Sequence, residues 1–164
     1  MTTGIAKSQN AFAFRHTLAT LAYRAAKVLR DTPADFSSYR PAKDARSAGE
    51  ILAHLCDLFD WALTQAKGQE KWQNTQPKSW EADSKRFFEA LTTLDEYVAS
   101  GAEMHAAPEK IFQGAVADAL THVGQIALLR RLAGAHIKAE NYSVAKIEAG
   151  KTGAKQNAAV AEFG

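Results

Sequence analysis

Apolar residues recur at helical spacing in four long stretches of this chain. In the first, from about Asn10 to Leu29, Phe14, Leu18, Leu21, Ala25 and Val28 follow one another at intervals of three or four and form a single stripe. A connection from Arg30 to Arg46, carrying Pro33 and Pro41, separates it from the second. That helix is predicted to start at Ser47, because Ser47-Ala48-Gly49-Glu50 fits a capping box, and to run to about Ala66 before Gly68. Residues 68–78 are polar and read as loop. The third helix begins near Ser79, buries Trp80, Phe87, Leu91, Leu94 and Val98, and ends near Ser100-Gly101. The fourth begins after Pro108 and ends at Ala133, with Gly134 as its cap and Arg130 and Arg131 complementing its dipole.

Beyond Gly134 the pattern weakens. Tyr142, Val144 and Ile147 suggest one short helix, and residues 150–164 read as a mobile tail after a single domain spanning 1–149. Long helices without strand alternation predict an all-α protein, a four-helix bundle with a short C-terminal helix. The first connection is about twice the usual length for a bundle, so the first two helices are expected to run parallel.

Composition narrows the functions. Lys and Arg number 20 against 18 Asp and Glu, a formal charge of +2. That balance gives no reason to expect nucleic acid or an anionic membrane as partner. Cys56 is the sole cysteine, so no intrachain disulfide forms. The N-terminus lacks the apolar stretch of a signal peptide, and no run approaches the roughly 20 apolar residues of a membrane span. The cytoplasm is the default expectation.

The fourth stripe contains unexpected chemistry. With Asp118 as zero and about 100° per residue, Ile111 falls at roughly 20°, Ala115 at 60°, His122 at 40°, Gln125 at −20°, Leu129 at 20° and Leu132 at −40°. Asp118 and His122, four apart, thus converge on the predicted packed face. On the second helix His54 shares a face with Ile51, Leu58 and Trp61. A lone inward histidine is ordinarily a satisfied core residue, and an Asp-x3-His pair ordinarily a surface pair. Together, aimed inward from two helices, they fit a divalent metal, because an ionised carboxylate in an apolar interior needs a compensating charge. The donor set admits Zn, Ni, Fe(II) or Mn, and three protein ligands leave a position open for water or substrate. Cys56 points about 160° from His54 and reads as a buried thiol; His16, His105 and His136 read as surface or loop residues.

The stretches "ILAHLCDLFDWAL" and "DALTHVGQIALLRRLAG", with "ENYSVAKIEAG" after them, resemble the DinB/YfiT-like family of metal-binding helical proteins, over about residues 10–150. The His122-to-Gln125 element is the most specific piece. The resemblance implies a bundle with an unusual helix order and a long first connection, and a metal triad at His54, position 118 and His122. Asp118 stands where a histidine is usual, and Val123 where arginine is frequent.

The resemblance also implies a range of activities. The leading expectation is a metal-dependent S-transferase or detoxification enzyme joining a small thiol cosubstrate (mycothiol, bacillithiol or glutathione in such proteins) to an electrophile. Gln125 would orient a ligand or water, and Trp61 would serve as an apolar wall or simply as core. The alternative enzyme is a hydrolase with metal-held hydroxide and Glu50 as general base, a role that competes with capping. The non-enzymatic alternative is a metal-binding, stress-related module. A homodimer is expected, and the alanines at 11, 13, 19, 22, 25 and 26 permit close helix approach without distinguishing a dimer from a core.

Overall fold

The computed structural model describes residues 2–164, with side chains from Gln9 onward. It is mostly α-helical: α1 (Thr2–Leu29), α2 (Ala48–Ala66), α3 (Trp80–Ala99), α4 (Pro108–Ile111) and α5 (Ala117–Leu132). A π-helical segment, Phe112–Val116, joins α4 to α5 without a break. No described helix is long and apolar enough to cross a membrane.

The predicted stripes on α1 and α3 are the ones buried; on α2 Ile51 and Leu58 of the expected face are buried, but His54 and Trp61 are half-buried and Leu52, Leu55 and Phe59 fill the core instead. Leu18, Leu21 and Ala25 of α1, Leu52, Leu55 and Phe59 of α2, and Phe87, Leu91 and Leu94 of α3 meet in one apolar cluster, closed by Ile111, Val116 and Ile126. Helix ends follow the sequence signals. Ser47 Oγ accepts from the Glu50 amide while the Glu50 carboxylate accepts from the Ser47 amide. Gly68 and Gly134 end α2 and α5 in the left-handed region, at φ 69° and 76°.

α1 packs against α3 and α5, and α2 packs against the same two helices. Their directions can be read from pairs of contacts. Arg15 meets Asp95 and the Leu29 carbonyl meets Trp80, so α1 and α3 are antiparallel. Cys56 meets the Asp83 carbonyl, Asp60 meets Arg86, and Lys67 lies over Tyr97, so α2 and α3 are parallel. α1 and α2 are therefore antiparallel, contrary to the expectation from the long first connection. The segment that carries the chain back is the second connection, Lys67–Ser79. Extended, it spans about 40 Å, more than the about 28 Å of the 19-residue α2. The first connection instead folds into a 3-10 turn, Phe36–Ser38, seated on the start of α2. Gly49 makes that approach possible, since a Cβ there would lie 2.9 Å from the Ser37 carbonyl oxygen.

Arg130 does more than complement a dipole. It is buried, and its guanidinium donates to the carbonyls of Val28 in the last turn of α1, of Arg30 and Asp31 just past it, and of Ala135. Burial pulls its pKa down. In helical phase Arg130 lies off the Asp118 line and fits a charge at the helix end, yet it is buried. The orphan carbonyls at the end of α1 are what make it tolerable.

The C-terminal region also departs from expectation. A 3-10 turn, Tyr142–Val144, replaces the short helix. Residues 150–164 are not a loose tail but are tied to the helices. Thr152 is buried and bonds Thr92; a two-residue strand β2 (Glu162–Phe163) pairs antiparallel with β1 (Ala139–Glu140); Lys27 bridges Glu140 and Glu162. These contacts come from polar residues far apart in sequence, which apolar periodicity cannot register.

Replacing Arg130 by Met should lower unfolding free energy in urea by about 3 kcal/mol, because several carbonyls lose their donor at once. The Lys27 hydrogen bond holds the Glu162 pKa below the ordinary carboxylate value. Its stabilisation is therefore present above that value and lost as pH falls through the depressed pKa. Amide protection in the β1–β2 pair should fall on acidification relative to the helices, and Glu162→Gln should show the loosened pairing already at neutral pH.

Candidate metal centre

α2 brings His54 one turn beyond its capping box, and α5 brings Asp118 and His122 opposite it. One candidate donor atom from each of the three lies within 4.8 Å of the others. His54 Nε2 is 3.2 Å from Asp118 Oδ2, and His122 Nδ1 is 3.2 Å from Asp118 Oδ1. His122 Nδ1 also lies 2.8 Å from the main-chain oxygen of Asp118. That oxygen only accepts, so Nδ1 carries the proton and the ring lone pair sits on Nε2, the arrangement of a metal-binding imidazole oriented by its other nitrogen.

The donor set and spacing fit a divalent metal. Ligands at about 2.0–2.2 Å around a tetrahedral ion are separated by roughly 3.3–3.6 Å. The His54–Asp118 distance is already close to that value, and no pair needs to close by more than about 1.5 Å, within reach of rotamer adjustment.

The site lies at the rim of the core, not within it. Side-chain exposure is 12% for His122, 20% for His54 and 43% for Asp118. Sequence periodicity placed Asp118 at the centre of the packed face. The π-helical segment explains the difference, because each π residue turns less than an α residue and shifts the phase of everything after it. Downstream, Ala119, Val123, Ile126, Leu129 and Arg130 are buried, centred about 90° from Asp118. His122 lies at the edge of that face, Gln125 beyond it is exposed, and Leu132 is 56% exposed. Asp118 therefore does not need a cation to offset deep burial. The convergence of donors is what marks the site.

Glu50, the candidate base, is fully engaged. Both its oxygens accept from Arg40, one also accepts from the Ser47 amide, and these bonds hold its pKa below the ordinary value. Cys56 is buried, its thiol pushed up to about 12 by desolvation, and it donates to the Asp83 carbonyl. His16, His105 and His136 are exposed. Trp61 is half-buried, with its indole donating to Glu70.

The second connection supplies what sequence reading missed. It runs back beside α2: Lys71 bonds Thr64, Thr75 bonds Asp57, and Lys78 bonds Asp83. Between these ties Trp72, 46% exposed, sets its ring edge-on to both His54 and Trp61, with centroids 5.7 Å away in each case. Only a lone tryptophan in a polar loop hinted at this.

No family model, curated protein or solved structure matches this chain.

Two clefts open beside the donors. One, about 370 Å³, is lined by His54, Glu50, Asp44, Arg46 and the loop residues 74–77. The other, about 430 Å³, is lined by His122, Gln125, Ile51, Leu128 and Leu129 with Pro41 and Arg46. Gln125 thus faces a cleft that His122 also lines, and makes no hydrogen bond to the three donors.

Asp57, 1% exposed in its side chain, holds this arrangement by bonding both Thr75 and Arg86. Asp57→Ala should cost about 3–5 kcal/mol by leaving Arg86 short of a buried partner. Hydrogen exchange should rise at Trp72 and Thr75 while α5 keeps its protection.

Proposed function

We propose that this chain is a metal-dependent enzyme of the DinB-like type, binding one divalent transition metal through His54, Asp118 and His122 and joining a small thiol to an electrophilic substrate. The observation that carries the reading is the convergence of three donors from two helices beside open clefts. When bound, the metal would lower the pKa of a coordinated thiol, giving thiolate at neutral pH. Asp118 adds one negative charge to the set and favours a harder ion. His122 is oriented by its bond to the Asp118 carbonyl. Gln125 lines the cleft beside His122 where its amide would bond a ligand, and Trp72 lies edge-on against His54 and shields one side of the histidine.

Thiol transfer suits this site better than hydrolysis. A thiol, of pKa about 8.5, needs only modest acidification, whereas water needs far more or a positioned base. Glu50, the base a hydrolase would use, is committed to Arg40 and the helix cap. The helices also suit the resemblance. We read them as a four-helix bundle of cyclic order α1, α5, α2, α3, in which consecutive α1 and α2 are not the principal neighbours; that is the kind of unusual order the resemblance implies.

Elemental analysis of the purified protein should find about one transition-metal ion per chain, with His54→Ala and Asp118→Ala losing most of it while keeping their helical circular dichroism. Negligible metal in all three would refute the proposal. With metal loaded, thiol consumption in the presence of an electrophile should depend on the metal; substrate turnover without thiol would overturn the transferase assignment in favour of hydrolysis.

A further inference from the structure

The two clefts beside the donors share Ala45 and Arg46, at the end of the first connection. Of the arginines lining the first cleft, Arg40 is neutralised by a bidentate contact to Glu50. Arg46 is exposed and makes no hydrogen bond or ion pair among the described residues. One uncommitted guanidinium thus borders the cleft reached by His54 and the cleft reached by His122. The second of these is walled by Pro41, Ile51, Leu128 and Leu129, and Leu128 is 56% exposed at its mouth.

We propose that the substrate of this site is an amphiphilic organic carboxylate, held by its carboxylate on Arg46 with its apolar body against Ile51, Leu128 and Leu129. A guanidinium presents two parallel donors matched to a carboxylate. A phosphate dianion fits less well, because among the described residues Arg46 is the sole unpaired cation lining either cleft, and Asp44 and Glu50 line the first beside it. The apolar wall gains by being covered, and a ligand with a hydrocarbon body covers it. This inference rests on the reading of His54, Asp118 and His122 as the centre of a small-molecule site, and it names the substrate class for that centre.

The test uses octanoate as probe and octan-1-ol as its neutral counterpart, titrated calorimetrically into protein whose metal content has first been measured, both metal-loaded and metal-free. Octanoate should bind at one site, with octanol and the Arg46→Gln variant each weaker by about tenfold or more. Leu128→Ser should also weaken octanoate, and Arg40→Gln should leave it within about twofold, since Arg40 is already paired. Persistence of the Arg46 dependence in metal-free protein would support recognition by the guanidinium itself. Loss of octanoate binding on metal removal, with Arg46→Gln as tight as wild type when loaded, would place the carboxylate on the metal and overturn the proposal. Equal affinity for octanoate and octanol, or no binding by the wild type, would also overturn it. Absence of metal uptake, read separately in the elemental analysis, would count against the metal centre and not against the Arg46 site.

Discussion

Where the α5 side chains face is set by the π-helical segment just before them. Phe112–Val116 closes wider turns than the α-helix on either side, so the face that buries Ile111 upstream is not the face that buries Ile126 downstream. That phase shift brings Asp118 and His122 out to the edge of the core, where α2 presents His54 and where solvent and a ligand can reach them. Had α4 and α5 formed one regular α-helix, the same sequence would drive the carboxylate inward against apolar neighbours, at a cost no single imidazole offsets.

The return path of the second connection is the other constraint on the site. Because α2 and α3 run parallel, the chain between them must traverse the length of α2, and it does so over the flank that carries His54. Asp57 and Asp83, buried acids of α2 and α3, fix the strand-like segment by accepting from Thr75 and Lys78. Fold and site are coupled here through polar groups: the contacts that secure a parallel helix pair also seat Trp72 beside the histidine.

What could be read from the sequence was what depends on local chemistry. The capping box at Ser47 and Glu50, the glycines ending α2 and α5, the stripes of α1 and α3, and the pairing of Asp118 with His122 all follow from short spacings; that His54 would join the pair is an expectation from helix faces and from the resemblance. What could not be read depends on non-local partners. Arg130 looks like an end charge until the carbonyls of Val28 and Arg30 come beside it. Lys27, Glu140 and Glu162 look like solvated charges until the chain terminus folds back over α1. Leu132 looks like core until the helix phase is known, because α5 carries apolar residues around much of its circumference and its periodicity admits more than one buried face. Trp72 carried no positional signal, since nothing in a polar loop reveals which helix it will cross.

The exposure of Asp118 bears on what a metal would do for this protein. A structural zinc site is closed, commonly four-coordinate, and its binding energy is folding energy. Here the apolar core forms from all the long helices without the three donors, and the carboxylate retains solvent and two imidazole neighbours in the absence of any ion. A metal bound there would therefore be weakly coupled to folding and would meet a largely preformed set of ligands beside two clefts. That combination is what the proposed chemical role would require, and not what a structural site would show. It also makes the neighbourhood of the donors, and above all which of its charges are already paired, the feature that selects what binds there.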